Sequence, residues 1–109
     1  MKCLITGGSG FLGSYVADAL SKKNHKVTIF DKKKSRWKQN DQKMIIGNLL
    51  NYTLLEKAIK GKDIVFHFGA LSDITESLHQ PIKTIKYNIL ATSYILELCK
   101  KYKIKRLIH

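Results

Sequence analysis

Three glycines, Gly7, Gly10 and Gly13, stand three residues apart directly behind the apolar run Lys2–Thr6. Glycines so spaced between a strand and a helix suit one kind of chemistry, the close approach of backbone to a pyrophosphate. Gly7 allows a sharp exit from the strand, Gly10 has no Cβ to hold a ligand off, and Gly13 lets the helix pack tightly on the sheet. The N–H groups near Phe11 and Leu12, at the start of that helix, are then free to point at phosphate oxygens. Asp31 follows 18 residues after Gly13, at the end of the next apolar run. A carboxylate there can accept both hydroxyls of an adenosine ribose and repels a 2′-phosphate, which favours NAD over NADP. Lys32, Lys33, Lys34 and Arg36 come directly after it and could neutralise a 2′-phosphate, so NADP stays open as the lesser alternative.

These residues need a parallel sheet behind them, and the periodicity supplies one. Strands are expected at Lys2–Thr6, 26–30, Lys43–Ile46, 63–68 and 105–108. A helix is expected over 11–23, with Leu12, Val16, Ala19 and Leu20 as its apolar stripe. A second, capped by Asn51 or Thr53, runs to about residue 60 and is closed by Gly61. A long third runs over 81–102, with Pro81 in its first turn and Ile82, Ile85, Ile89, Leu96 and Cys99 on one face. The fourth strand is apolar throughout, as for a strand buried on both faces, and residues 31–42 read as a polar, basic loop. Strands alternating with helices imply right-handed βαβ units. The expected fold is α/β, a Rossmann-type doubly wound parallel sheet of order 3-2-1-4-5, with the cofactor crevice where the order reverses.

The GxxGxxG spacing resembles that of the extended short-chain dehydrogenase/reductases, in particular their NAD-dependent epimerase/dehydratase branch. Four further segments are similar to that family in order. Gly47-Asn48-Leu49 resembles a Gly-Asp-Leu/Ile segment whose acid contacts the adenine amine, with an amide replacing the acid. Val65-Phe66-His67-Phe68-Gly69-Ala70-Leu71 resembles the fourth strand, whose end lies along the cofactor. Tyr87-Asn88-Ile89-Leu90-Ala91-Thr92 resembles Asn-Val-x-Gly-Thr in the long helix, with Ala91 for the glycine. Lys105-Arg106-Leu107-Ile108-His109 resembles the strand that runs into the catalytic Ser/Thr. The resemblance implies a cofactor site at Gly7, Gly10, Phe11, Leu12, Gly13, Asp31, Asn48, Leu49, Phe68, Gly69 and Ala70. It also implies a nucleotide-sugar substrate, with hydride passing from a sugar carbon to NAD and returning or being followed by elimination.

The family's Tyr-x-x-x-Lys pair does not occur here. Tyr15, Tyr52, Tyr87, Tyr94 and Tyr102 are followed four residues later by Ala19, Glu56, Ala91, Leu98 and Arg106. On the resemblance, residues 1–109 are a single NAD(P)-binding domain, the N-terminal part of such an enzyme. The sheet stops after strand 5, the catalytic half and substrate domain are absent, and the chain is expected to be inactive alone. The alternative is a non-catalytic dinucleotide- or nucleotide-binding module.

Composition agrees with one globular domain: 109 residues, 44% hydrophobic. The net charge is +12, from 18 lysines and two arginines against eight acids. The lysines are scattered, arginine is scarce and no aromatic-interleaved basic stripe exists, which argues against a nucleic-acid partner. No apolar run has the length of a membrane span, and the start does not read as a signal peptide. Cys3 and Cys99 sit in apolar runs without metal-like spacing and read as reduced core residues, so a cytoplasmic location is expected. Self-association, as a homodimer or otherwise, is expected from the open edge of strand 5. His67 reads as a satisfied core histidine, and Asn88 as a residue needing a polar partner. Ser72 and Asp73 are expected either to face the crevice or to cap the loop. Trp37 has no assigned role.

Overall fold

The computed structural model describes residues 1–109. Its strands are β1 (Lys2–Thr6), β2 (Lys26–Asp31), β3 (Lys43–Ile46), β4 (Ile64–His67) and β5 (Arg106–Ile108). Its helices are α1 (Phe11–Lys22), α2 (Tyr52–Ile59), α3 (Ile74–His79), α4 (Pro81–Ile85) and α5 (Ala91–Lys101), with a π turn, Lys86–Leu90, between α4 and α5. All strand pairs are parallel and the order is β3-β2-β1-β4-β5, as the alternation of elements requires.

Alternation along β1 divides the core. Leu4 points to the larger side, where Phe30 and Val65 meet Leu55 and Ile59 of α2 and Ala91, Ile95 and Leu98 of α5. Ile5 points to the other side, with Val27, Ile29 and Ala17 of α1. Asn51 is the cap of α2, its side chain accepting from Leu54 N at 3.2 Å. Gly61 closes that helix at φ +80, a left-handed turn that glycine enters without strain.

Several expectations are corrected. The buried side of α1 is Gly13, Ser14 and Ala17, while Leu12 and Ala19 are exposed. Small residues win because a close helix–sheet approach is set at Gly13, whose added Cβ would lie 2.3 Å from Gly7 O. β4 is fully buried only at Val65 and His67, with Ile64 and Phe66 half-buried, because its second face is not fully covered. Residues 74–79 form a helix that apolar periodicity does not mark; its N-cap is Asp73, which accepts from Glu76 N at 2.8 Å. The long helix is interrupted by the π turn, in which Ala91 N–H donates to Lys86 O. Its sheet-facing side is Ala91, Ile95, Leu98 and Cys99, while Ile82, Ile85, Ile89 and Leu96 are exposed. The rotation is fixed by polar anchors. Asn88 Oδ1 accepts from Leu71 N at 2.7 Å, and its Nδ2 donates to Leu71 O at 2.9 Å. Thr92 Oγ1 meets His67 Nε2 at 2.9 Å. Turning the isoleucines inward would break these bonds and strand buried polar groups.

Candidate functional site

The turn after β1 is the foundation of the site. Gly7 takes φ +72, and a Cβ on it would lie 2.7 Å from Gly69 N, so a side chain is excluded both by conformation and by the neighbouring β4 exit. Gly10 N donates back to Gly7 O at 3.1 Å and tightens the turn. Gly10 is then the N-cap of α1, and no side chain caps that helix. The first N–H groups of a helix have no intrahelical acceptor, so those at Phe11, Leu12 and Gly13 form an anion-seeking end.

The carboxyl ends of β1, β2, β3 and β4 meet around one cleft of about 410 Å³, within the range of small-ligand sites. The β1 turn brings Gly7, Gly10, Phe11, Leu12 and Gly13 to it. β2 brings Phe30, Asp31 and Lys32, and the chain after β3 brings Gly47, Asn48 and Leu49. The chain after β4 brings Phe68, Gly69, Ala70, Leu71 and Ser72. All eleven residues singled out in the sequence line this cleft. Phe30, Gly47, Leu71 and Tyr87 also line it and are not among the residues expected from the sequence. Phe30, Gly47 and Leu71 adjoin assigned residues, whereas Tyr87 arrives from the π turn, directly before the Asn88 of the segment that resembles Asn-Val-x-Gly-Thr.

Asp31 is anchored on both oxygens. Ser9 N donates to Oδ2 at 3.0 Å and Lys33 N donates to Oδ1 at 3.2 Å. Each oxygen keeps a further lone pair for a ligand hydroxyl. Lys32 Nζ sits 5.7 Å from the centroid of the Tyr87 ring. Asn48 Oδ1 accepts from Leu50 N at 2.8 Å, and Nδ2 donates to the Tyr87 hydroxyl at 2.6 Å. Of the two residues after β4 left open, Ser72 lines the cleft and Asp73 serves as the α3 cap. Trp37 is exposed and outside the lining.

Beneath the cleft, His67 is buried with both ring nitrogens engaged, Nδ1 to Thr6 Oγ1 at 2.6 Å and Nε2 to Thr92 Oγ1. Burial, aided by nearby His109, pushes its pKa down from 6.5 to about 4. It is a core histidine, as its apolar neighbours suggest. Cys3 and Cys99 are buried free thiols; burial raises both, Cys99 to about 11. No group of His, Cys, Asp and Glu suited to a metal ion is present, and no helix is long and apolar enough to cross a membrane.

Comparison with known proteins agrees with this geometry. The family described as NAD dependent epimerase/dehydratase matches residues 3–109. A dTDP-D-glucose 4,6-dehydratase of Dictyostelium discoideum is 40% identical over 121 residues, covering 99% of this chain and 28% of that protein. The UDP-glucose 4-epimerase of Thermotoga maritima, solved with UDP-glucose, superposes with a TM-score of 0.92 at 27% identity, covering 98% of this chain and 36% of the other. The UDP-glucose 4-epimerase of Thermus thermophilus, solved with NAD, gives 0.91 at 25% identity, with the same two coverages. The chain spans about a third of the length of these relatives, in each case with nearly all of its own residues.

Proposed function

Because the chain belongs to the NAD-dependent epimerase/dehydratase family, we propose that its cleft holds NAD and that it is the cofactor-binding portion of an enzyme acting on a nucleotide-sugar. One observation carries the reading: the glycine turn, the β2 acid and the β3 and β4 exits converge on a single cleft where the strand order reverses. The residues fit the group. The uncapped α1 end and the bare Gly10 suit a pyrophosphate. The anchored carboxylate of Asp31 suits the adenosine ribose hydroxyls and opposes a 2′-phosphate. Asn48 and Leu49 stand at the adenine end, and Phe68, Gly69 and Ala70 line the path of the remainder.

NAD, when bound, supplies a two-electron acceptor for a sugar carbon. These residues bind and orient it and supply no proton transfer. General acid–base work needs a titratable group of tuned pKa beside the sugar hydroxyl, and no tyrosine of the chain is followed by a lysine four residues on. The chain by itself is therefore expected to bind without turning over nucleotide sugars. A dehydratase and an epimerase are both among the relatives, and both are named for a nucleotide-linked glucose.

Titration calorimetry of NAD against wild type and Gly10→Val tests the site. A Cβ at Gly10 meets only Gly7 O, at 3.3 Å, so the fold should survive while the valine methyls occupy the pyrophosphate approach. Losing charge-assisted bonds there should weaken binding by about tenfold or more. Equal affinity in the two proteins would remove the assignment. NAD-dependent turnover of a nucleotide-sugar, lost on substituting a residue within 1–109, would overturn the claim of inactivity.

A further inference from the structure

Asn48 has its amide oriented by the backbone. Leu50 N–H can only donate, so the atom that receives it at 2.8 Å is Oδ1. The atom facing the Tyr87 hydroxyl at 2.6 Å is then Nδ2, which has no lone pair to offer. Tyr87 must be the acceptor in that bond, and its own proton is left for another partner. No other protein group bonds this hydroxyl. A carboxylate at position 48 would reverse the polarity, taking the phenol proton and leaving nothing to donate into the cleft.

The ring that carries the hydroxyl is held in place. Tyr87 is half-buried, lines the cleft, and has the Lys32 ammonium over its face at 5.7 Å. Lys32, Asn48 and Tyr87 come from the β2 exit, the β3 exit and the π turn, so three separate elements close one end of the cleft. Asn88, next to Tyr87, grips both backbone polar groups of Leu71 and fixes the turn against the β4 exit.

We propose that Tyr87 is a base-reading residue: its hydroxyl, set as acceptor toward Asn48, donates to a ring nitrogen of the adenine. This rests on the NAD reading of the cleft. The unsubstituted ring nitrogens of adenine are acceptors only, so a committed donor suits them. Asn48 Oδ1 keeps one lone pair for the exocyclic amine. The amide at position 48 and the tyrosine at position 87 thus act as a unit, the amide deciding which way the phenol proton points.

The test is calorimetry of ADP-ribose and of inorganic pyrophosphate with wild type, Tyr87→Phe, Asn48→Asp and the double variant. Phenylalanine keeps the ring, and melting curves report whether the fold is kept. Tyr87→Phe should weaken ADP-ribose by about three- to tenfold, the span of one hydrogen bond, and leave pyrophosphate unchanged. In the Asn48→Asp background the same change should cost under about twofold, because the phenol proton already belongs to the carboxylate. Equal ADP-ribose affinity in wild type and Tyr87→Phe, equal penalties in both backgrounds, or a parallel loss of pyrophosphate binding would each overturn the proposal. If Gly10→Val weakens ADP-ribose and Tyr87→Phe does not, the base reading alone fails. If neither does, the cleft assignment fails with it.

Discussion

Acid should destabilise this protein through His67, and the hydrogen bonds fix the reason. Thr92 Oγ1 donates to Asn88 O at 2.7 Å, so its proton is spent and it must accept from His67 Nε2–H. Nδ1 is then the bare nitrogen, and Thr6 Oγ1 donates to it at 2.6 Å while accepting from Gly69 N at 3.2 Å. One chain of bonds runs from the cleft floor at Gly69 to the π turn at Asn88, and it works only with a neutral ring. Protonation at Nδ1 would turn the Thr6 hydroxyl from donor to acceptor and strand its proton, beside a charged ring that is only 2% exposed. The folded pKa is about 4, against 6.5 in the open chain. Between those values the unfolded state binds a proton that the folded state refuses, so stability rises with pH there. The contribution is fully present above 6.5 and lost as pH falls to about 4; the gap corresponds to about 3 kcal/mol. Urea unfolding of wild type and His67→Gln, stepped from pH 7.5 to 4, measures it. Glutamine stays neutral, so wild type should lose about 3 kcal/mol more than the variant. Glu56, held low by Lys101 and Tyr102, and Asp63, held low by the Lys2 N–H, lose stability in the same direction in both proteins and cancel. Parallel pH profiles, or a ring that titrates near 6.5 by NMR, would refute the argument.

Gly13→Ala should act on the fold, in contrast to Gly10→Val. Its Cβ would lie 2.3 Å from Gly7 O and 2.7 Å from Gly8 Cα, both backbone, so thermal melts should show a loss of about 1–3 kcal/mol or more. NAD should bind more tightly than NADP because Asp31 repels a 2′-phosphate; tighter NADP binding, abolished by Lys32→Ala or Lys33→Ala, would mean the lysine run has won. The chain should self-associate increasingly as salt rises. Ile74, Leu78, Ile82, Ile85 and Ile89 are exposed, while the +12 charge that keeps copies apart is screened within about 8–10 Å at physiological ionic strength. Sedimentation at low and physiological salt checks this, and a monomer at both would contradict it.

The sequence alone determined the parallel order of the sheet and the residues at its switch point. Both are local matters: strand and helix periods alternate, connections of that length are right-handed, and Gly7, Gly10, Gly13 and Asp31 sit at fixed distances from strand ends. The cleft lining inherits that legibility, because each lining segment is the first few residues beyond a strand. Helix rotation was not legible. The apolar spacing of Ile82, Ile85 and Ile89 points them inward, whereas Asn88 and Thr92, which look out of place on an apolar face, orient the helix by bonding Leu71 and His67 and leave the isoleucines exposed. Nor could the chain reveal that the Asn48 amide meets a phenol 39 residues away, or that His67 takes the Nε2–H tautomer. Those outcomes depend on which donor meets which acceptor across elements, and only tertiary packing sets that.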